Sequence, residues 1–170
     1  MEFNQLVKER FSVRKFAERA IESEKLDQIL AAGRVAPTAK NLQPQRIYVL
    51  QSQEALAKIR EITRCAFNAP VVLLVCGNIK EGWINPFNQR NSTEMDVSIV
   101  NTQMMLQAKE LGVDSTWVCW FDTEVVKKVF RLPEGMEPFC LLPLGYAAAD
   151  VTPATSHNQR KALSETVTWL

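Results

Sequence analysis

The chain has 170 residues, 46% apolar and 23% charged, with a net charge of +1. That length suggests one domain, residues 1–170, burying roughly 70% of the surface its unfolded chain would expose, so stability needs neither disulfide nor metal. The near-neutral charge, with no basic stripe, argues against nucleic acid, and no apolar run reaches the length of a membrane span.

The N-terminus, MEFNQLVKERF, is charged and amphipathic rather than signal-like, which points to a cytoplasmic protein. Phe3, Leu6 and Val7 predict a short helix over 2–10. From Arg10 to Phe16 the pattern turns to alternation. In an extended segment Arg10, Ser12 and Arg14 point one way, with Phe11 and Val13 on the other. Ser23 is the expected N-cap of the next helix, whose buried stripe is Leu26, Ile29 and Leu30. Pro37 ends it.

Residues 36–45, APTAKNLQPQ, are a stiff polar connection into a strand at Arg46–Leu50. Ser52 caps a helix over 53–64. Pro70 opens VVLLVCG, a continuous apolar run expected to be a strand buried on both faces. Residues 77–92 are read as irregular, with Trp83 and Phe87 either core anchors or pocket walls. The longest helix runs from Thr93 to Leu111, with an apolar stripe wide enough to suggest contact on more than one side. A strand STWVCWF follows, then a helix capped by Asp122 through Arg131. The strand FCLLPLGY carries Pro143, which points to an edge position or a bulge. The tail from Val151 lacks a packing pattern until Leu163. Helices and strands alternate as in α/β proteins, but the sheet need not be purely parallel.

Two guanidinium groups and a hydroxyl at Arg10, Ser12 and Arg14 would make an anion cradle, or alternatively a basic patch favoured at a helix C-terminus. His157, in a polar tail, reads as solvated. Cys76, Cys119 and Cys140 lie in apolar runs and read as core thiols, while Cys65 sits near a helix end. No CxxC pair exists, so no metal site is expected. There is no P-loop, no G-x-G-x-x-G and no nucleophile elbow. No catalytic side chain is identified, so any hard chemistry would belong to a bound cofactor.

Five stretches in order, RFSVRKF, APTAKNLQPQ, MDVSIVNTQMMLQAKELGVDSTW, PLGY and RKAL, resemble the FMN-dependent nitroreductase family. The chain is similar to its shorter members. The resemblance implies an α+β fold, a central mixed but mostly antiparallel sheet flanked by helices, in an intertwined homodimer with FMN at the interface. It implies that Arg10, Ser12 and Arg14, with Phe11 among them, hold the phosphate, ribityl chain and ring edge. Pro37, Thr38, Ala39 and Asn41 would reach the flavin of the partner. Pro143, Leu144 and Gly145 would line one ring face, and Arg160 would close on the phosphate from the tail. NAD(P)H would be the reductant and a small electron-poor molecule, a nitroaromatic or quinone, the acceptor. The alternative is a flavin-binding sensor or carrier without turnover. Thr38, Lys40, Gln45 and Ala162 depart from common family residues. Among 60–68, Arg60, Thr63, Arg64 and Asn68 are all open as flavin contacts.

Overall fold

The computed structural model describes residues 1–170. Ten regular elements follow one another: α1 (Phe3–Glu9), α2 (Ser23–Arg34), β1 (Gln45–Leu50), α3 (Gln53–Ile62), β2 (Val71–Asn78), α4 (Thr93–Glu110), β3 (Asp114–Ser115), α5 (Thr123–Val129), β4 (Met136–Gly145) and α6 (Leu163–Thr166). The sheet order is β1-β2-β4-β3. All three strand pairings are antiparallel. The expected mixed sheet is therefore corrected: the one parallel pairing is a single bridge from Ser12, outside the strands, to Ser115 of β3.

β2 is buried on both faces, as its unbroken apolar run requires. Its side chains alternate between two cores. Val72, Leu74 and Cys76 join Leu56 and Ile59 of α3 and Val126 of α5. Val71, Leu73 and Val75 join Ile29 of α2 and Val97, Val100 and Met104 of α4. The architecture is thus one sheet between two helical layers, α3 with α5 and α2 with α4. Gly77, near the end of β2, lets α4 come close, since a Cβ there would stand 2.3 Å from the Thr93 methyl. No helix is long and apolar enough to cross a membrane.

Three local expectations change. STWVCWF is not a continuous strand. Thr116 donates its N–H to the Pro143 carbonyl (3.3 Å), and Val118 and Leu141 exchange both hydrogen bonds at 3.0 and 2.8 Å. Proline has no N–H to return to Thr116, so the ladder breaks there. Pro143 is accordingly neither on an edge strand nor at the bulge. It lies in an internal strand with its missing donor turned to the weakly paired side, while the register shift falls between Val75 and Cys76.

The second change is at Ser23, which is the first helical residue rather than the cap. Glu22 holds the cap position, but its carboxylate is engaged elsewhere: Tyr146 donates its hydroxyl to it, and Arg19 donates at 2.7 Å. The third change is Cys119, which is exposed rather than core.

The Glu22 cluster carries a pH prediction. The Tyr146 hydroxyl first, then Glu22's own N–H and then Arg19, hold the carboxyl down to about 2 from 4.5. A depressed carboxyl stabilises the fold above its ordinary range and loses that contribution as pH falls toward the folded value. Tyr146→Phe should therefore unfold at lower urea than the parent at neutral pH. The gap should be level above about pH 4.5 and narrow toward pH 2. A gap unchanged over that range in a urea titration would refute the linkage.

Candidate functional site

The N-terminal segment after α1 is extended because it borrows partners from the sheet edge. Val13 donates to the Ser115 carbonyl at 3.0 Å, and Phe16 bridges to Ala147. Val13 and Phe16 are buried, and Ser12 is half-buried. This alternation aims Arg10, Ser12 and Arg14 into one cavity of about 200 Å³, which they line with Phe11 and with Ala154, Ser156, His157 and Arg160 from the tail. The two ends of the chain thus meet around it.

The cavity contains no carboxylate. None of its three arginines forms a salt bridge with any acid of the chain. Arg160 donates only to its neighbour's carbonyl, Gln159, at 2.7 Å. Burial, and then the charge of Arg160, hold the Arg10 guanidinium below its ordinary value. Three cations with hydroxyls and no counter-ion suit a multiply charged oxyanion such as a phosphate.

His157 corrects the reading of a solvated tail. Its Nε2 lies 3.0 Å from the Lys8 carbonyl, and because a carbonyl only accepts, that nitrogen carries the proton. The ring also meets Phe11 edge to face, with centroids 6.1 Å apart. These contacts seat the segment 154–160 against the end of α1, which is what delivers Arg160. Sequence periodicity could not find this, because the docking groups are one histidine and a backbone carbonyl.

Arg14 is shared with a second, larger cavity of about 640 Å³, lined by Lys15, Phe16, Glu18, Arg60, Phe67 and Asn68. Of the four open candidates in 60–68, the structure brings Arg60 and Asn68 beside Arg14. Thr63 is buried instead, donating its hydroxyl to the Trp120 carbonyl at 2.6 Å. Arg60 donates to the Ala69 carbonyl at 3.2 Å, and Phe67 and Asn68 take positive φ of 50° and 55°. Phe16, on the wall of this cavity, and Pro70 pack against Gly145, where a Cβ would stand 2.8 Å from each.

Pro143, Leu144 and Gly145 stand at the end of β4. All three are buried, and the Leu144 side chain belongs to the core between the sheet and α4. Their place inside β4 fixes this, because period-two alternation turns Leu144 inward opposite Val71. The Pro143 carbonyl is already engaged by Thr116. None of the three lines either cavity.

Pro37, Thr38, Ala39 and Asn41 lie apart from both cavities, on a connection fixed to α4. Pro37 and Asn41 are exposed, and Thr38 and Ala39 half-buried. Ala39–Asn41 form a single tight turn in which Lys40 and Asn41 have φ of 51° and 56°. The Ala39 N–H donates to the Asp96 carboxylate at 2.8 Å, and the Asp96 carboxylate also accepts from Ser92 Oγ at 2.7 Å. The Lys40 ammonium stands 6.0 Å from the centre of the Trp83 ring. Trp83 is thus half-buried beside this connection, while Phe87 is 95% exposed. The Ser-x-x-x-Asp spacing at the start of α4 was the available signal for Asp96.

Comparison with known proteins gives this geometry a family. The profile of the nitroreductase family matches residues 7–72 and 64–146. A solved nitroreductase family protein from Clostridium difficile 630 is 39% identical, with a TM-score of 0.93 over 99% of this chain and 98% of that one. A protein of Methanothermobacter thermautotrophicus, provisionally named an NADH dehydrogenase/NAD(P)H nitroreductase, is 30% identical over 155 residues, 87% of this chain and 78% of that protein. The fold is also that of a provisionally named nitroreductase of Exiguobacterium sibiricum solved in complex with FMN (22% identity, TM-score 0.85, 100% and 98% coverage). With its sheet, its helical layers and nearly all of its matched length in common with these proteins, the chain belongs to the nitroreductase family.

Proposed function

We propose that the chain is an FMN-dependent NAD(P)H oxidoreductase that reduces small electron-poor acceptors, nitroaromatics or quinones, by a ping-pong exchange at one flavin face. The observation that carries this reading is the acid-free cavity where Arg10, Arg14 and Arg160 converge. It fits the terminal phosphate of FMN, and the FMN in the Exiguobacterium relative and the NAD(P)H in the name of the Methanothermobacter relative support it.

FMN, when bound, supplies the capacity to take a hydride from NAD(P)H and pass it to the acceptor. The protein supplies binding and orientation. Arg10, Arg14 and Arg160 would neutralise the phosphate, with Ser12 and Ser156 as hydroxyl partners. Arg14 continues into the larger cavity, which Lys15, Glu18, Arg60 and Asn68 also line; there the Arg14 and Arg60 cations and the Asn68 amide would hold the ring edge. Phe16 and Phe67 supply the apolar part of that cavity's wall. No side chain is required as an obligatory proton donor, since water can serve.

The proposed working form is a homodimer. Met95 and Ile99 of α4 are 60% and 41% exposed, and Leu42 beside the Ala39–Asn41 turn is 44% exposed. A second copy covering these groups would bring Pro37, Thr38, Ala39 and Asn41 to the flavin held by the first.

The test is the visible spectrum of the purified protein, before and after each nicotinamide is added without oxygen. The expected result is a yellow protein bleached by NADH or NADPH. A colourless protein that fails to take up micromolar FMN would overturn the reading. A yellow protein that neither nicotinamide bleaches would overturn its reductase part.

A further inference from the structure

We propose that Cys119 and Cys140 are a thiol pair that closes into a reversible intramolecular disulfide when the protein meets hydrogen peroxide. The inference does not depend on the cofactor reading. It begins with register. Asp114 pairs with Gly145, Ser115 with Leu144, and Val118 with Leu141, while Thr116 donates to the Pro143 carbonyl. All of these keep one antiparallel register across the break in the ladder at Pro143. Its next step sets Cys119 opposite Cys140.

The kind of position matters. Val118 and Leu141 exchange both hydrogen bonds, so they are a hydrogen-bonded pair. The adjoining position in that register is of the non-hydrogen-bonded kind, the closer type, whose Cα atoms typically stand about 4.5 Å apart. That separation lies within the span of about 4.4–6.8 Å that disulfides bridge.

The side chains agree on the face. Leu141 and Val118 enter the core beneath α3 and α5, so their neighbours Cys140 and Cys119 turn the other way. Cys140 is buried in the opposite core, and Trp117 packs against that core as well. The Trp117 indole N–H donates to Cys119 Sγ at 3.3 Å, which holds the sulfur on that side.

The two thiols have unequal roles. Cys119 is exposed and meets the oxidant. Burial, with the neighbouring Cys119 next in effect, pushes the Cys140 thiol well above its ordinary value, so it acts second. In the first step the Cys119 thiolate attacks one peroxide oxygen. An S–O bond forms, the O–O bond breaks, and the other oxygen leaves as water after taking a proton. In the second step Cys140 sulfur attacks Cys119 sulfur. The S–S bond forms, the S–O bond breaks, and water leaves with the Cys140 proton. Two thiols lose two electrons and peroxide is reduced to two waters.

The other cysteines are excluded by position. Cys76 is on β2, with its side chain in the core beneath α3 and α5, away from Cys140. Cys65 lies in the short turn Arg64–Ala66, outside the sheet. The bond would fasten the edge segment 114–119 to β4 beyond the interruption at Pro143, next to the Val118–Leu141 pair.

The experiment uses the purified protein as isolated, reduced, desalted and then exposed to hydrogen peroxide. Thiols are counted after denaturation, and peptides are mapped by mass spectrometry without reduction. The count is expected to fall from four to two. The protein should lose the mass of two hydrogens, the Cys119 and Cys140 peptides should be joined, and dithiothreitol should reverse all of it. Cys119→Ser should abolish the loss, and Cys65→Ser should leave the cross-link intact. The wild-type peptide map decides the matter even where a variant folds poorly. A bridge through Cys65 or Cys76, a covalent dimer through Cys119, or Cys119 oxidised to the sulfinic acid with Cys140 still free would each overturn the proposal.

Discussion

Arg14→Ala should weaken FMN binding by about 10- to 100-fold, the equivalent of one charge-assisted hydrogen-bonded contact at about 1.5–3 kcal/mol. Arg14 is chosen over Arg10 and Arg160 because it alone of the three lines both cavities. Its side chain is exposed and engaged by no acid, so its removal takes away a ligand contact without leaving a buried charge behind. Two comparisons separate phosphate from ring. Arg160 touches only the smaller cavity, so Arg160→Ala should weaken FMN and leave riboflavin, which lacks the phosphate, unchanged. Arg14→Ala should weaken both. Raising salt should reduce the parent's FMN affinity more than that of either variant, because the lost term is electrostatic. Fluorescence titration of free flavin measures all of these. An Arg14→Ala protein that binds FMN within twofold of the parent would remove the cradle from the proposed function.

The Arg10–Arg14 alternation was legible in the sequence because an extended segment has period two and the apolar partners, Val13 above all, must go inward. β2 was legible for the same reason in another form, since an unbroken apolar run has to be covered on both sides. The failures share a cause. The break in 115–121 comes from a proline more than twenty residues away in sequence, acting through an absent N–H. His157 docks on a carbonyl, which every residue has and no pattern marks. Glu22, not Ser23, holds the cap position, and its carboxylate bonds Tyr146 and Arg19 instead of the helix end. In each case a long-range partner decided what local pattern left open.

Asp96 shows how far such a partner can reach, and Asp96→Ala is expected to have the largest effect on stability of any single polar change near the site. The carboxylate is 2% exposed, and it accepts from the Ala39 N–H and from Ser92 Oγ. Ser92 Oγ in turn accepts from the Trp83 N–H at 3.1 Å. One buried acid therefore ties the 36–45 connection, the start of α4 and the 83–92 segment together. Its negative charge also sits in the first turn of a long helix, where the dipole favours it. Truncation removes two hydrogen bonds to a charged group and strands a half-buried N–H. At about 1.5–3 kcal/mol each, the loss is about 3–6 kcal/mol. For a chain of this size that lowers the melting temperature by roughly 10 °C. Asp96→Asn keeps an oxygen to accept from Ala39 and an amide to donate to Ser92, so it should lose less than half as much. Scanning calorimetry of the two variants tests this order directly. Should Asp96→Ala melt within about 2 °C of the parent, the carboxylate would not be the anchor of the connection. If the Pro37–Asn41 turn completes the flavin site across a dimer, Asp96→Ala should also shorten flavin retention while Arg10, Arg14 and Arg160 stay in place. A variant with an intact cradle and a faster flavin off-rate is the outcome that a purely structural role for Asp96 does not produce.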